Sequence, residues 1–167
     1  MLGYIAEILL KSRIKKNEAR RYKKFLPWDK IGKIGLIISG HYQVSKKAID
    51  KFAEETQKFI EVFYVELNSH QASYADWQCY SKKDSSILKL PKKERLEELK
   101  NRNFDVVINA GNDHDLFSAA LTSELKATLK CGSSARFNNV DLIVLKDEPF
   151  QLEKYLQNIV KYLKVLI

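Results

Sequence analysis

Cysteine, proline and glycine are all scarce in this chain of 167 residues, which has two Cys, three Pro and six Gly. Cys79 and Cys131 lie far apart with no CxxC spacing. That excludes a disulfide framework and a cysteine-built zinc site, and it fits a reducing cytoplasm. So little Gly and Pro, beside 45% hydrophobic and 30% charged residues, excludes collagen-like, low-complexity and disordered chains. No apolar run approaches the ~20 residues of a membrane span. The stretch 5–10 is interrupted by Glu7, and its cations follow it instead of preceding it, so neither a transmembrane segment nor a signal peptide is expected. GxGxxG, GxxxxGK[ST] and GxSxG are also missing. The length allows one domain with a short appendage.

What the chain does have is an uneven +8 charge. Residues 1–24 carry Lys11, Arg13, Lys15, Lys16, Arg20, Arg21, Lys23 and Lys24 against Glu7 and Glu18, a net +6; the rest nets only +2. A cationic segment on a near-neutral body is an electrostatic footprint for an anionic partner, such as RNA, a ribonucleoprotein or an acidic protein. The segment reads as a helix, with good helix formers and no Pro before Pro27. Leu2, Ile5, Ala6, Leu9, Leu10 and Ile14 recur at helical spacing. That stripe packs on the domain or on a second copy of it, giving a homodimer, and the basic half stays wet. Peripheral membrane contact fits less well, because an interfacial helix segregates charge laterally and this one segregates it end to end. The division expected is a basic N-terminal helix over 1–26 and an α/β domain over 27–167.

From Lys33 onward, short apolar runs alternate with amphipathic stretches, the pattern of a parallel sheet covered on both faces. Strands are expected at 34–39, 60–67, 104–110, 129–131 and 140–145. Helices are expected at 45–58, 91–101, 113–128 and from Pro149 onward, the last with Leu152, Tyr155, Leu156, Ile159, Val160, Leu163 and Leu166 on one face. The stretch 68–90 is too long for an ordinary connection and reads as a functional or covering loop. The fold class is a three-layer α/β domain with a mostly parallel five-stranded sheet, flavodoxin-like or Rossmann-like.

The basic helix, KIGLIIS, FDVVINAGNDHDLFSAALTSELKATLKCG, VDLIVL and LEKYLQNIVKYL together resemble a Bacteroidetes family of small α/β proteins known only as a domain of unknown function. The resemblance covers almost the whole chain and implies a fold, not an activity. The second phrase is also similar to the amino-terminal half of heptosyltransferase-like glycosyltransferases. Those enzymes use a second Rossmann-like domain, for which this length has no room.

Ligands of open parallel sheets bind outside the strands' carboxyl ends. Here those ends offer Ser39, Gly40 and His41, then Asn109, Gly111, Asn112 and Asp113. The set suits a small ligand, a nucleotide or sugar nucleotide, although Gly111 alone makes no pyrophosphate cradle. Asp113-His114-Asp115 reads either as a metal or acid–base cluster or as helix capping by Asn112 or Asp113. His41 and His70 read as solvated loop histidines. Cys131 reads as a core residue and Cys79 has no adjacent base. Ser133 and Ser134 follow Gly132 without forming a nucleophile elbow. Tyr74, Trp77 and Tyr80, followed by Lys82 and Lys83, either stack bases or cover a sheet edge. No catalytic residue, metal or cofactor is expected. The sequence points away from an enzyme and towards a cytoplasmic binding or adaptor protein.

Overall fold

The computed structural model describes residues 1–42, 44–68, 74 and 76–165. His70 and Leu166 lie outside them. Six strands form one parallel sheet: β1 (Lys33–Ser39), β2 (Phe59–Glu66), β3 (Gln78–Ser81), β4 (Asn103–Asn109), β5 (Lys126–Gly132) and β6 (Leu142–Ile143). Their order is β3-β2-β1-β4-β5-β6, the doubly wound order of Rossmann-like folds, which reverses between β1 and β4. Four helices cover it: α2 (Lys46–Thr56) and α5 (Leu152–Val165) on one face, α3 (Lys93–Glu97) and α4 (Leu116–Glu124) on the other. Successive strand residues divide between these cores. Ile34, Leu36 and Ile38 face α2 and α5, whereas Ile37, Phe63 and Val107 face α3 and α4.

The remaining helix, α1 (Leu2–Glu18), adds a fourth layer outside α4. Ala6, Leu10 and Ile14, spaced four apart, are the buried residues of α1. Leu10 and Ile14 share a cluster with Ala119, Ala120 and Phe137. Every residue from Phe117 to Ser123 is buried, because α4 has the sheet on one side and α1 on the other. A sequence as small and apolar as FSAALTS suits a helix enclosed all round.

The strand count departs from the expected five. β3 arises inside the expected loop 68–90, where Gln78 to Ser81 pair with Phe63 to Glu66. β5 begins at Lys126 instead of 129, and α4 ends at Glu124 instead of 128. Helix formers in ELKAT lose there to backbone pairing with β4, where Asn103 stands opposite Lys126. α1 stops at Glu18, so Arg20, Arg21, Lys23 and Lys24 lie beyond the helix. Their chain crosses the sheet's N-terminal edge, where the Lys24 N–H donates to Thr128 O at 3.0 Å.

Candidate functional site

At the sheet's C-terminal edge Asn109 at the end of β4, Asn112 and Asp113 beyond it, and Ser133 after β5 line a void of about 20 Å³, with Gly111 in the turn between them. That volume holds roughly one water. The turn into α4 uses its own side chains as acceptors. Asn109 Oδ1 takes the Gly111 N–H, Asn112 Oδ1 the His114 N–H and Asp115 Oδ1 the Phe117 N–H, each at 2.9 Å. The cap of α4 is therefore Asp115, not Asn112 or Asp113, because the helix starts at Leu116. Burial pushes the Asp115 carboxyl up against the pull of its bonds from Ser118 and Phe117.

Sequence reasoning missed the side chain that fills this edge, Lys146. Its side chain is 9% exposed. Nζ donates to Gly111 O and to Asp113 Oδ1, the latter at 3.1 Å. It sits 5.4 Å from the ring centroids of Tyr42 and Phe150 and 5.9 Å from that of Tyr155, within cation–π range. Burial lowers its pKa against the attraction of Asp113. Ser133 Oγ donates to the same Asp113 oxygen. Nothing in the local sequence LKDEPF marks it, since Tyr42 and Tyr155 meet it only in the fold.

The first strand's residues border this edge. Ser39 is buried, and its Oγ accepts the His41 N–H at 3.3 Å. A Cβ at Gly40 would overlap the Glu66 carboxylate and stand 2.7 Å from the Tyr64 hydroxyl, so those side-chain ends pack directly on the Gly40 backbone. His41 is exposed, with its ring against Tyr42. Burial pushes the Cys131 thiol up, away from thiolate chemistry. Among the described residues no three His, Cys, Asp or Glu side chains converge as a metal site would require.

The aromatic stretch divides. Tyr80 is fully buried against Phe117, with ring centroids 5.4 Å apart. Tyr74 and Trp77 pack on Tyr64, at 4.9 and 5.9 Å, and cover the sheet beside β2 and β3.

The N-terminal edge of the sheet is different. α1 runs alongside α4 in the same direction: Arg136, against Glu7, reaches His114 ahead of α4, while Asn17 Nδ2 bonds Ser123 Oγ at 3.0 Å. The basic end of α1 therefore lies at the head of β4 and β5. Part of its charge is neutralised there. Arg21, 7% exposed, bonds Asp141 at 2.6 Å and Glu18 at 2.7 Å. Lys23 reaches the same two carboxylates at 3.1 and 3.2 Å. Buried Lys130 donates to Ser123 O at 3.1 Å and to Glu18 at 3.4 Å. Burial lowers the Lys130 pKa to about 8 in spite of Glu18. Burial raises the Asp141 and Glu18 carboxyls, yet hydrogen bonds from Arg21, Lys23 and, for Asp141, the Lys130 N–H hold both below the usual range. Arg21 is thus an internal tether instead of a free anion ligand. Lys11 pairs with Glu7 at 3.9 Å and Arg13 with Glu124 at 3.5 Å.

Lys15, Lys16, Arg20 and Lys24 are exposed, with no carboxylate within 4.0 Å among the described residues. Beside them a cleft of about 650 Å³ opens, lined among others by Arg20, Tyr22, Lys100, Asn103, Leu125 and Lys126. No helix among the described residues is long and apolar enough to cross a membrane. Neither a curated protein nor a solved structure matches the chain. Residues 4–166 match the family of unknown function DUF6913, and with nearly its whole length covered the chain belongs to that family.

Proposed function

We propose that this chain is a non-catalytic binding protein that grips an anionic macromolecule, RNA ahead of an acidic protein surface, with the cations at the basic end of α1. One observation carries the reading. Of the eight cations in residues 1–24, Lys15, Lys16, Arg20 and Lys24 have no carboxylate partner among the described residues and stand at one end of the molecule. A cation already paired with a carboxylate gains little from a phosphate, because one ion pair replaces another. An unpaired, solvated one releases counterions from the polymer, which favours binding at low salt. Cys79 and Cys131 are both free thiols, which suits a reducing cytoplasm.

Titration of labelled single-stranded RNA at several salt concentrations tests this. Affinity falls steeply with salt, and neutralising Lys15, Lys16, Arg20 and Lys24 to Gln lowers the slope by about 0.7 for each phosphate that no longer meets a cation. An affinity indifferent to both salt and the four substitutions removes the reading.

A second reading, a homodimer through α1, is favoured by a separate feature. Leu2, Tyr4, Ile5, Ile8 and Leu9 are 42–73% exposed, an apolar patch on the turns of α1 that α4 leaves uncovered. Sedimentation over a hundredfold concentration range, with an Ile5→Ser, Ile8→Ser variant as control, decides it. A mass that stays monomeric throughout removes it.

A further inference from the structure

The cleft at the N-terminal edge has a lining that cationic attraction alone does not require. Its floor is apolar and buried, built from Phe104, Leu125 and Ala127. On one wall, Tyr22 is 75% exposed, held at the rim by the chain that Arg21 ties to Asp141. It makes no aromatic contact among the described residues. Asn101 and Asn103, ahead of and at the head of β4, also line the cleft. Arg20 and Lys126 flank the opening, and neither has a carboxylate partner among the described residues. About 650 Å³ falls in the range of sites that enclose a small molecule. A duplex, with its bases stacked inside and phosphates outside, cannot put a base into such a cleft. An acidic peptide would engage the cations and leave the aromatic ring and apolar floor unused. An unpaired nucleotide uses all three: a base for Tyr22 and the floor, amides for its polar edge, cations for its phosphates.

We infer that this cleft holds one nucleotide of a single-stranded nucleic acid, its base stacked on Tyr22 and its flanking phosphates met by Arg20 and Lys126. The inference rests on the polyanion reading above and narrows it to unpaired strands.

The test uses the full chain and measures fluorescence anisotropy with four probes: a uridine dodecamer, a deoxythymidine dodecamer, a twelve-base-pair duplex and heparin. Tyr22→Ala is expected to weaken single-strand binding roughly five- to 150-fold, the range for removing one base–aromatic stack. Heparin binding stays within about twofold, since no charge changes. Tyr22→Phe keeps the ring and restores single-strand affinity, and the duplex binds more weakly than either single strand. The two dodecamers then tell RNA from DNA as the preferred source. If Tyr22→Ala changes nothing, or the duplex binds as tightly as the single strands, the cleft inference falls while the polyanion reading stands. If polyglutamate competes better than the dodecamers, the surface belongs to an acidic protein and the inference is overturned. If no polyanion binds at all, both fall together.

Discussion

The two ends of the parallel sheet handle charge and space in opposite ways. At the C-terminal edge, where folds of this strand order usually hold ligands, Lys146 lies inside a ring of Tyr42, Phe150 and Tyr155 and bonds Gly111 and Asp113. The N–H groups of Gly111, His114 and Phe117 in the turn into α4 are taken by Asn109, Asn112 and Asp115, and the void beside Asp113 and Ser133 measures about 20 Å³. At the N-terminal edge, half-buried Glu18, Arg21 and Asp141 and buried Lys130 anchor the chain, and four further cations have no carboxylate among the described residues. A cleft of about 650 Å³ stays open beside them. Among the described residues, the protein's own lysine thus occupies part of the usual ligand edge, and a cleft and those four cations lie toward the opposite one. Strand order alone therefore does not locate a binding surface, because an inserted side chain such as Lys146 takes space and hydrogen bonds that a ligand would otherwise use.

The comparison breaks most severely at Asp141. Asp141→Ala takes one of two carboxylates from Arg21 and the acceptor from the Lys130 N–H, and costs about 3 kcal/mol in urea unfolding, the low end for breaking a buried pair, because Glu18 still faces Arg21. The basic chain then detaches from β5, and the cleft loses its wall. Leu10→Ala cuts the packing between α1 and α4 and costs about 2–5 kcal/mol. Fluorescence of an apolar dye then reports the newly exposed face of α4. Lys146→Met tests the closed end. It keeps the packing but leaves Gly111 O without its donor, at a cost of about 1–3 kcal/mol, and a stability unchanged within error would show that water replaces the ammonium.

A smaller effect is expected from pH. The Lys130 ammonium has a folded pKa of about 8, because burial lowers it, against an ordinary 10.5. Above pH 8 the unfolded chain binds more protons at this position than the folded one, so stability contributed by this group rises with pH towards 10.5. Cys131, whose thiol is pushed up by burial, works the other way above about pH 9. The informative comparison is therefore wild type against Lys130→Met between pH 8 and 9, where the wild type gains relative to the variant. A pH-independent difference would mean that Lys130 keeps an ordinary pKa. The smallest effect on stability belongs to the exposed cations. Replacing Lys15, Lys16 and Lys24 by Gln changes unfolding by no more than about 0.5 kcal/mol, and its readout is polyanion affinity.

Much of this was legible in the sequence, for identifiable reasons. β1 carries the apolar run of residues 34–38 before Ser39 and β4 the run of Val106, Val107 and Ile108 before Asn109, and strands buried on both faces read that way. α5 keeps Leu152, Tyr155, Leu156, Ile159 and Leu163 on one side, so its period was plain. β3 was not legible, because QCYS has neither an apolar run nor clear alternation, and its strand exists only by pairing with β2. The strand-end cluster was named as Asn109, Gly111, Asn112 and Asp113, but Lys146, 33 residues beyond Asp113, has no local pattern tying it to them. Lys130 did carry a signal: a lysine between Leu129 and Cys131 in a covered parallel strand points into a core and must find a carboxylate. Glu18, 112 residues away, was not identifiable from the sequence as that carboxylate.

By itself, the sequence determined the alternation of apolar runs and amphipathic helices, and so a covered parallel sheet. It also determined that the excess positive charge sits in the first 24 residues. Both are local properties, written in residue spacing and composition. Only the tertiary structure decided which of those cations are already neutralised, since Arg21 meets Asp141 across 120 positions. It likewise decided that Lys146 packs against Gly111 and Asp113 and that a cleft lies beside Arg20 and Lys126. Ion pairing and cavity volume depend on distances of a few ångströms between segments remote in the chain, and no spacing within a segment encodes them.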